Sequence, residues 1–108
     1  MTIETYRDFW PFYLSQHADA RTRAIHYAGA TGFLGLVGYA LLRGEAWAVP
    51  AALLVFYLPA WVAHFVIEGN RPATWRYPVW AFVSDLRMFA LWLSGGLTAE
   101  MARYQGVR

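Results

Sequence analysis

The chain has no cysteine and no lysine, and only 15% of its 108 residues are charged. Without cysteine there can be no disulfide framework, thiolate zinc site or cysteine nucleophile, so any bound metal must be held through nitrogen and oxygen. Redox compartment does not follow from that absence. Without lysine all the cations are arginines, scattered rather than striped, and with a formal charge of +2 they leave no nucleic-acid footprint. Soluble domains are charged at roughly a quarter of their positions. Here 58% of the residues are apolar and six Trp, seven Tyr and seven Phe are present, so a surface in water would be short of polar cover. That shortage points to a membrane or another large apolar partner. At this length one domain, residues 1–108, is expected. Met1 to Trp10 (MTIETYRDFW) lacks the basic start and apolar run of a secretory signal. The first hydrophobic segment is therefore expected to remain in the mature protein.

Three stretches carry nearly all the hydrophobicity: about Ala24 to Leu42, Ala46 to Ile67 and Pro78 to Leu97. They are too long for strands and lack period-two alternation, so each reads as helix. At about 1.5 Å per residue each covers roughly 28 to 33 Å, close to the thickness of bilayer hydrocarbon. The short turn Arg43, Gly44, Glu45 predicts an antiparallel hairpin of the first two. Ahead of them Thr5 to Gln16 mixes six apolar and aromatic side chains with Arg7 and Asp8, which suits a helix lying in the interface. The expected fold is all-α, a small helical membrane bundle of three main hydrophobic helices plus an N-terminal interfacial helix.

Arg7, Arg21, Arg23, Arg71 and Arg76 flank one end of the hairpin, and only Arg43 lies at the other. This asymmetry makes the Arg-rich end cytoplasmic, as in an inner membrane protein. Arg103 and Arg108 fall on the opposite side if the third helix crosses fully. Gly29, Gly32, Gly35 and Gly38 form a slowly drifting stripe that permits close helix packing. Pro59 predicts a kink in the second helix, and Trp47, Trp75, Tyr77 and Trp80 read as interfacial anchors.

His17, His26 and His64 all lie at the Arg-rich ends of hydrophobic segments, and Asp85 sits about two turns into the third. The hairpin can bring His26, His64 and Asp85 to one membrane depth. Ionisable groups there are costly, about 2.5 kcal/mol or more for the charged types unless paired, and need a shared explanation. His64 and Glu68 are four apart, on one face of a helix. Imidazoles with a carboxylate suit Fe(II) or a similar metal, and simple mutual hydrogen bonding explains the same residues. His17 and His26 are nine apart, on opposite faces of any continuous helix. Both can point inward only if the helix breaks near Ala18 to Ala20, with Asp19 as N-cap. In the following link Arg71 or Arg76 could clamp a lipid carboxylate or act as a positive-inside anchor.

The segments FYLSQHADARTRAIHYAG (Phe12 to Gly29) and PAWVAHFVIEGNRPATWRYPVWAFVSDLRMF (Pro59 to Phe89) resemble the small membrane-bound, iron-dependent 2-hydroxy fatty acid dioxygenases. That family is named for metabolising phytosphingosine to odd-numbered fatty acids. The likeness covers nearly the whole chain and implies an enzyme of fatty acid α-oxidation using Fe(II) and O2. Residue by residue it implies His17, His26 and His64 as iron ligands, with Glu68, Asn70, Arg71 and Asp85 as further motif positions; within the motif Glu68 and Asp85 are read as the catalytic carboxylates. Asn70, Arg71 and Arg76 would bind the substrate. The implied partners are a 2-hydroxy fatty acid, O2 and membrane lipid. Two other readings of the residues stand beside it: a bis-histidine haem electron carrier using His26 and His64, and a non-catalytic lipid-binding helical membrane protein.

Overall fold

A computed structural model describes residues 2–105; Arg108 lies outside them. Among the described residues the fold is all-α, with no strand. Five helices follow in order: α1 (Tyr6–Ser15), α2 (Ala20–Arg43), α3 (Ala48–Ala63), α4 (Pro78–Ser94) and α5 (Leu97–Gln105). A π-helical turn, His64–Glu68, continues α3, and a 3-10 turn, Ala73–Trp75, precedes α4. The chain divides into two compact units, Asp19–Pro72 and Met1–Ala18 with Ala73–Arg108.

In the unit Asp19–Pro72, α2 begins where the sequence places a break. Asp19 has extended backbone, and its carboxylate accepts the Arg21 N–H at 2.8 Å as an N-cap. The Arg21 guanidinium also pairs with this carboxylate at 2.9 and 3.1 Å, holding it at about 2, below the usual carboxylate range. After the Arg43 turn, α3 packs against α2. A Cβ on Gly29 would lie 3.1 Å from the Val55 carbonyl oxygen, and one on Gly32 2.6 Å from Val55 Cγ1, so these glycines allow the close approach. Gly35 and Gly38 meet nothing within 4 Å. The expectation that the whole stripe packs holds for only half of it, because a three-residue repeat turns away from a helix's contact face by about 60° per step.

The second hydrophobic helix stays α-helical only to Ala63, not to Ile67 as predicted. The π turn then widens the coil, and Gly69, at φ 69°, ends it in the left-handed conformation open to glycine. Among the described residues two helical segments are long and apolar enough to cross a membrane, Ala20–Arg43 and Ala48–Glu68. Large apolar side chains stand exposed along them, Leu41, Leu42 and Val66 at 76% or more. Such exposure suits lipid far better than water.

In the other unit, the aromatic stripe of α1 packs on α4. Tyr6, Phe9, Trp10, Tyr13 and His17 recur at helical spacing, and Phe9, Trp10 and Tyr13 are buried. Phe9 lies against the stacked rings of Tyr77 and Trp80, at 5.3 and 5.6 Å, and the Tyr6 hydroxyl is 2.9 Å from Ser84 Oγ. The third hydrophobic segment was expected to run to Leu97. Instead α4 stops at Ser94, where Gly95 takes φ 82° and the Gly96 N–H returns to the Leu91 carbonyl at 2.8 Å. At 17 residues α4 is shorter than the two candidate spans. After the stop α5 folds back, and Glu100 accepts the Trp10 indole N–H at 2.7 Å.

Candidate metal centre

His26 lies in the second turn of α2, and its Nδ1 is 2.9 Å from the Thr22 carbonyl one turn earlier. His64 opens the π turn, with its Nδ1 2.7 Å from Oδ1 of Asn70. The π turn creates that contact: its widened coil lets the N–H groups of Gly69 and Asn70 both reach the His64 carbonyl, the latter at 2.9 Å. The loop thereby folds back over the residue that starts it. The two imidazoles meet edge to face, with centroids 5.3 Å apart.

In the other unit His17 follows the last turn of α1, with its Nδ1 2.7 Å from the Tyr13 carbonyl. The Tyr13 ring stacks on the imidazole at 4.1 Å, and its hydroxyl donates to the Asp85 carboxylate. Trp10 stacks on Tyr13 in turn, and the Arg87 guanidinium lies 4.0 Å over Trp10. Burial pushes the Asp85 carboxyl up to about 7, against the opposing pull of the Tyr13 hydrogen bond.

A carbonyl oxygen can only accept, so each of the three Nδ1 atoms carries its proton. Each Nε2 is thereby left with the lone pair a metal needs. His17 in one unit and His26 and His64 in the other are all buried. Neutral imidazoles of this kind are donors suited to a divalent transition metal.

Glu68 and Asp85 each have a partner within their own unit. Glu68 accepts the Asp19 N–H at 2.9 Å, tying the start of α2 to the end of the π turn. Asn70, expected to bind the substrate, lies with its Oδ1 against His64. Arg71 is exposed, and Arg76, also exposed, donates to Thr2 Oγ1 at 3.2 Å. Tyr13 was legible in the sequence only as one aromatic of an interfacial helix; its spacing of four from His17 was the available signal. Thr22, four before His26, carries the same signal and was missed.

The Asp19–Pro72 unit also carries an apolar groove of about 450 Å3. Ile25, Leu58, Val62, Ala63 and Val66 are among its walls, and two of these directly precede His26 and His64 in sequence.

No curated protein and no solved structure matches the chain. The model of one family, described as 2-hydroxy-palmitic acid dioxygenase Mpo1-like, matches residues 3–97, and the chain belongs to that family.

Proposed function

We propose that the chain is an Fe(II)-dependent dioxygenase that shortens a 2-hydroxy fatty acid by one carbon at the cytoplasmic face of the inner membrane. The observation that carries this reading is the trio of buried imidazoles with every Nδ1 tied to an oxygen acceptor. In a dioxygenase family such a set suits iron. Held there, Fe(II) would relay electrons from the 2-hydroxy acid to O2; in the overall conversion of RCH(OH)COOH and O2 to RCOOH, CO2 and water the acid gives up the four electrons that O2 takes.

The protein's own contribution is orientation. The Thr22 and Tyr13 carbonyls and the Asn70 amide oxygen hold the three rings in one tautomer, as outer partners of ligating histidines do. Asp85 acts on His17 at one remove, by fixing Tyr13. Glu68 acts through the backbone of Asp19. Arg71, exposed at the end of the loop that carries Asn70, meets the substrate carboxylate at the membrane surface, with Arg76 as a second cation. The acyl chain lies along the apolar groove, whose volume falls in the usual range for ligand sites.

The test is metal analysis of the detergent-purified chain, then anaerobic Fe(II) loading and mass detection of products from 2-hydroxypalmitic acid with O2. His64→Ala abolishes iron binding and turnover, whereas Arg71→Ala mainly raises KM. Full iron content and activity in His64→Ala would overturn the assignment. The haem alternative has less support, since rings in edge contact at 5.3 Å leave no slot for a macrocycle between them. A Soret band in the purified protein would revive it.

A further inference from the structure

Thr22 stands one turn before His26 on α2, so its side chain and the imidazole share a helical face. The residue is fully buried. Its Oγ1 has no hydrogen-bond partner among the described residues. Thr31, on the same helix, behaves in the ordinary way and donates to the carbonyl four residues back, that of Tyr27, at 2.9 Å. Thr22 lacks this outlet because four residues back is Ala18, which precedes the N-cap and is not helical. The N-cap carboxylate beside it is already taken by Arg21. Buried hydroxyls are rarely left unpaired, and each such case calls for an explanation.

We infer that Thr22 is a substrate-binding residue whose hydroxyl hydrogen-bonds an oxygen of the 2-hydroxy acid head group beside His26. The inference rests on the 2-hydroxy acid dioxygenase reading above. Thr22 already touches the site through its carbonyl, which accepts the His26 Nδ1 proton. Its hydroxyl both donates and accepts, so it can serve the carboxylate or the 2-hydroxyl of the acid. A site that leaves a buried polar group unpaired in the absence of the right ligand discriminates strongly against ligands that cannot pair it.

The test compares Thr22→Val and Thr22→Ser with the wild type as detergent-purified full chains. Without metal or acid, Thr22→Val is expected to melt no lower than the wild type, since a methyl replaces an unpaired hydroxyl of the same shape. Its Fe(II) content is expected to be unchanged. Anaerobic binding of 2-hydroxypalmitic acid to the Fe(II)-loaded protein, read by tryptophan fluorescence, is expected to weaken about tenfold in Thr22→Val and to recover in Thr22→Ser. Palmitic acid, run in parallel, identifies the oxygen. An equal loss assigns the contact to the carboxylate and no loss assigns it to the 2-hydroxyl, and either supports the inference. Wild-type affinity for 2-hydroxypalmitic acid in Thr22→Val overturns it. So does a large drop in the metal-free melting temperature, which would mean the hydroxyl is structural. Loss of iron in His64→Ala alongside unchanged affinity in Thr22→Val would sink this role for Thr22 and leave the dioxygenase reading standing.

Discussion

A histidine offers a metal one nitrogen, and whatever holds the other nitrogen decides which one is offered. In this protein two of the three holders are main-chain carbonyls, which no side-chain substitution can remove, so Asn70 is the one that can be tested directly. Replacing Asn70 with Leu is expected to weaken metal affinity by about 10- to 100-fold. Asn70→Asp, which keeps an oxygen acceptor, should retain most of it; metal titration of the two variants checks this. Asp85 gives a pH signature. Burial raises its folded-state pKa to about 7 from the ordinary 3.8, so between those values the folded state holds more protons than the unfolded chain. Its stabilising contribution is therefore complete below about pH 4 and is lost as pH rises through 7. Thermal melts of the metal-free protein should show that fall, and Asp85→Asn should flatten it. The sequence marked both residues, but not the Asn70 contact with His64, because six residues is a spacing no regular α-helix brings together.

At the scale of elements, the α2–α3 hairpin depends on two glycines and not on the other two of the stripe. A Cβ at Gly29 would press on main-chain carbonyls of Val55 and Phe56, which cannot swing aside. Gly29→Ala is thus expected to destabilise the protein by about 1 to 3 kcal/mol. Gly35→Ala meets open space and should stabilise by up to about 1 kcal/mol through helix propensity alone. Unfolding in matched detergent would separate them, and equal effects would contradict the packing described. The π turn was invisible in the sequence for a related reason. HFVIE has no feature that forbids a continued α-helix, and the turn widens because Gly69 and Asn70 close back on the His64 carbonyl. The break between α1 and α2, by contrast, was legible, since an N-cap aspartate is a local signal.

For the molecule as a whole, two long helices with exposed leucines and valines suit a lipid environment. The protein is expected to stay with the membrane fraction after alkaline carbonate washing and to need detergent for extraction; release by carbonate would contradict that. The unit that holds α1, α4 and α5 has a different basis for its stability. Its core is a layered aromatic cluster in which Trp10 is 2% exposed and its indole is bonded to Glu100. Trp10→Ala is expected to cost about 3 to 5 kcal/mol, measured as a loss of melting temperature.

What the sequence determined by itself was whatever depends on near neighbours along the chain. Helix-length apolar runs, the Asp19 cap, the scarcity of charge and the histidines at the ends of hydrophobic segments are all properties of short windows. Only the tertiary structure decided that Glu68 bonds the backbone of Asp19, that Tyr13 joins His17 to Asp85, and that the Thr22 hydroxyl is buried with no partner among the described residues. The reason is physical: each of these depends on which groups are left to share a dry interior once the helices have packed. Close packing settles that competition among residues as many as 72 positions apart, beyond the reach of local spacing.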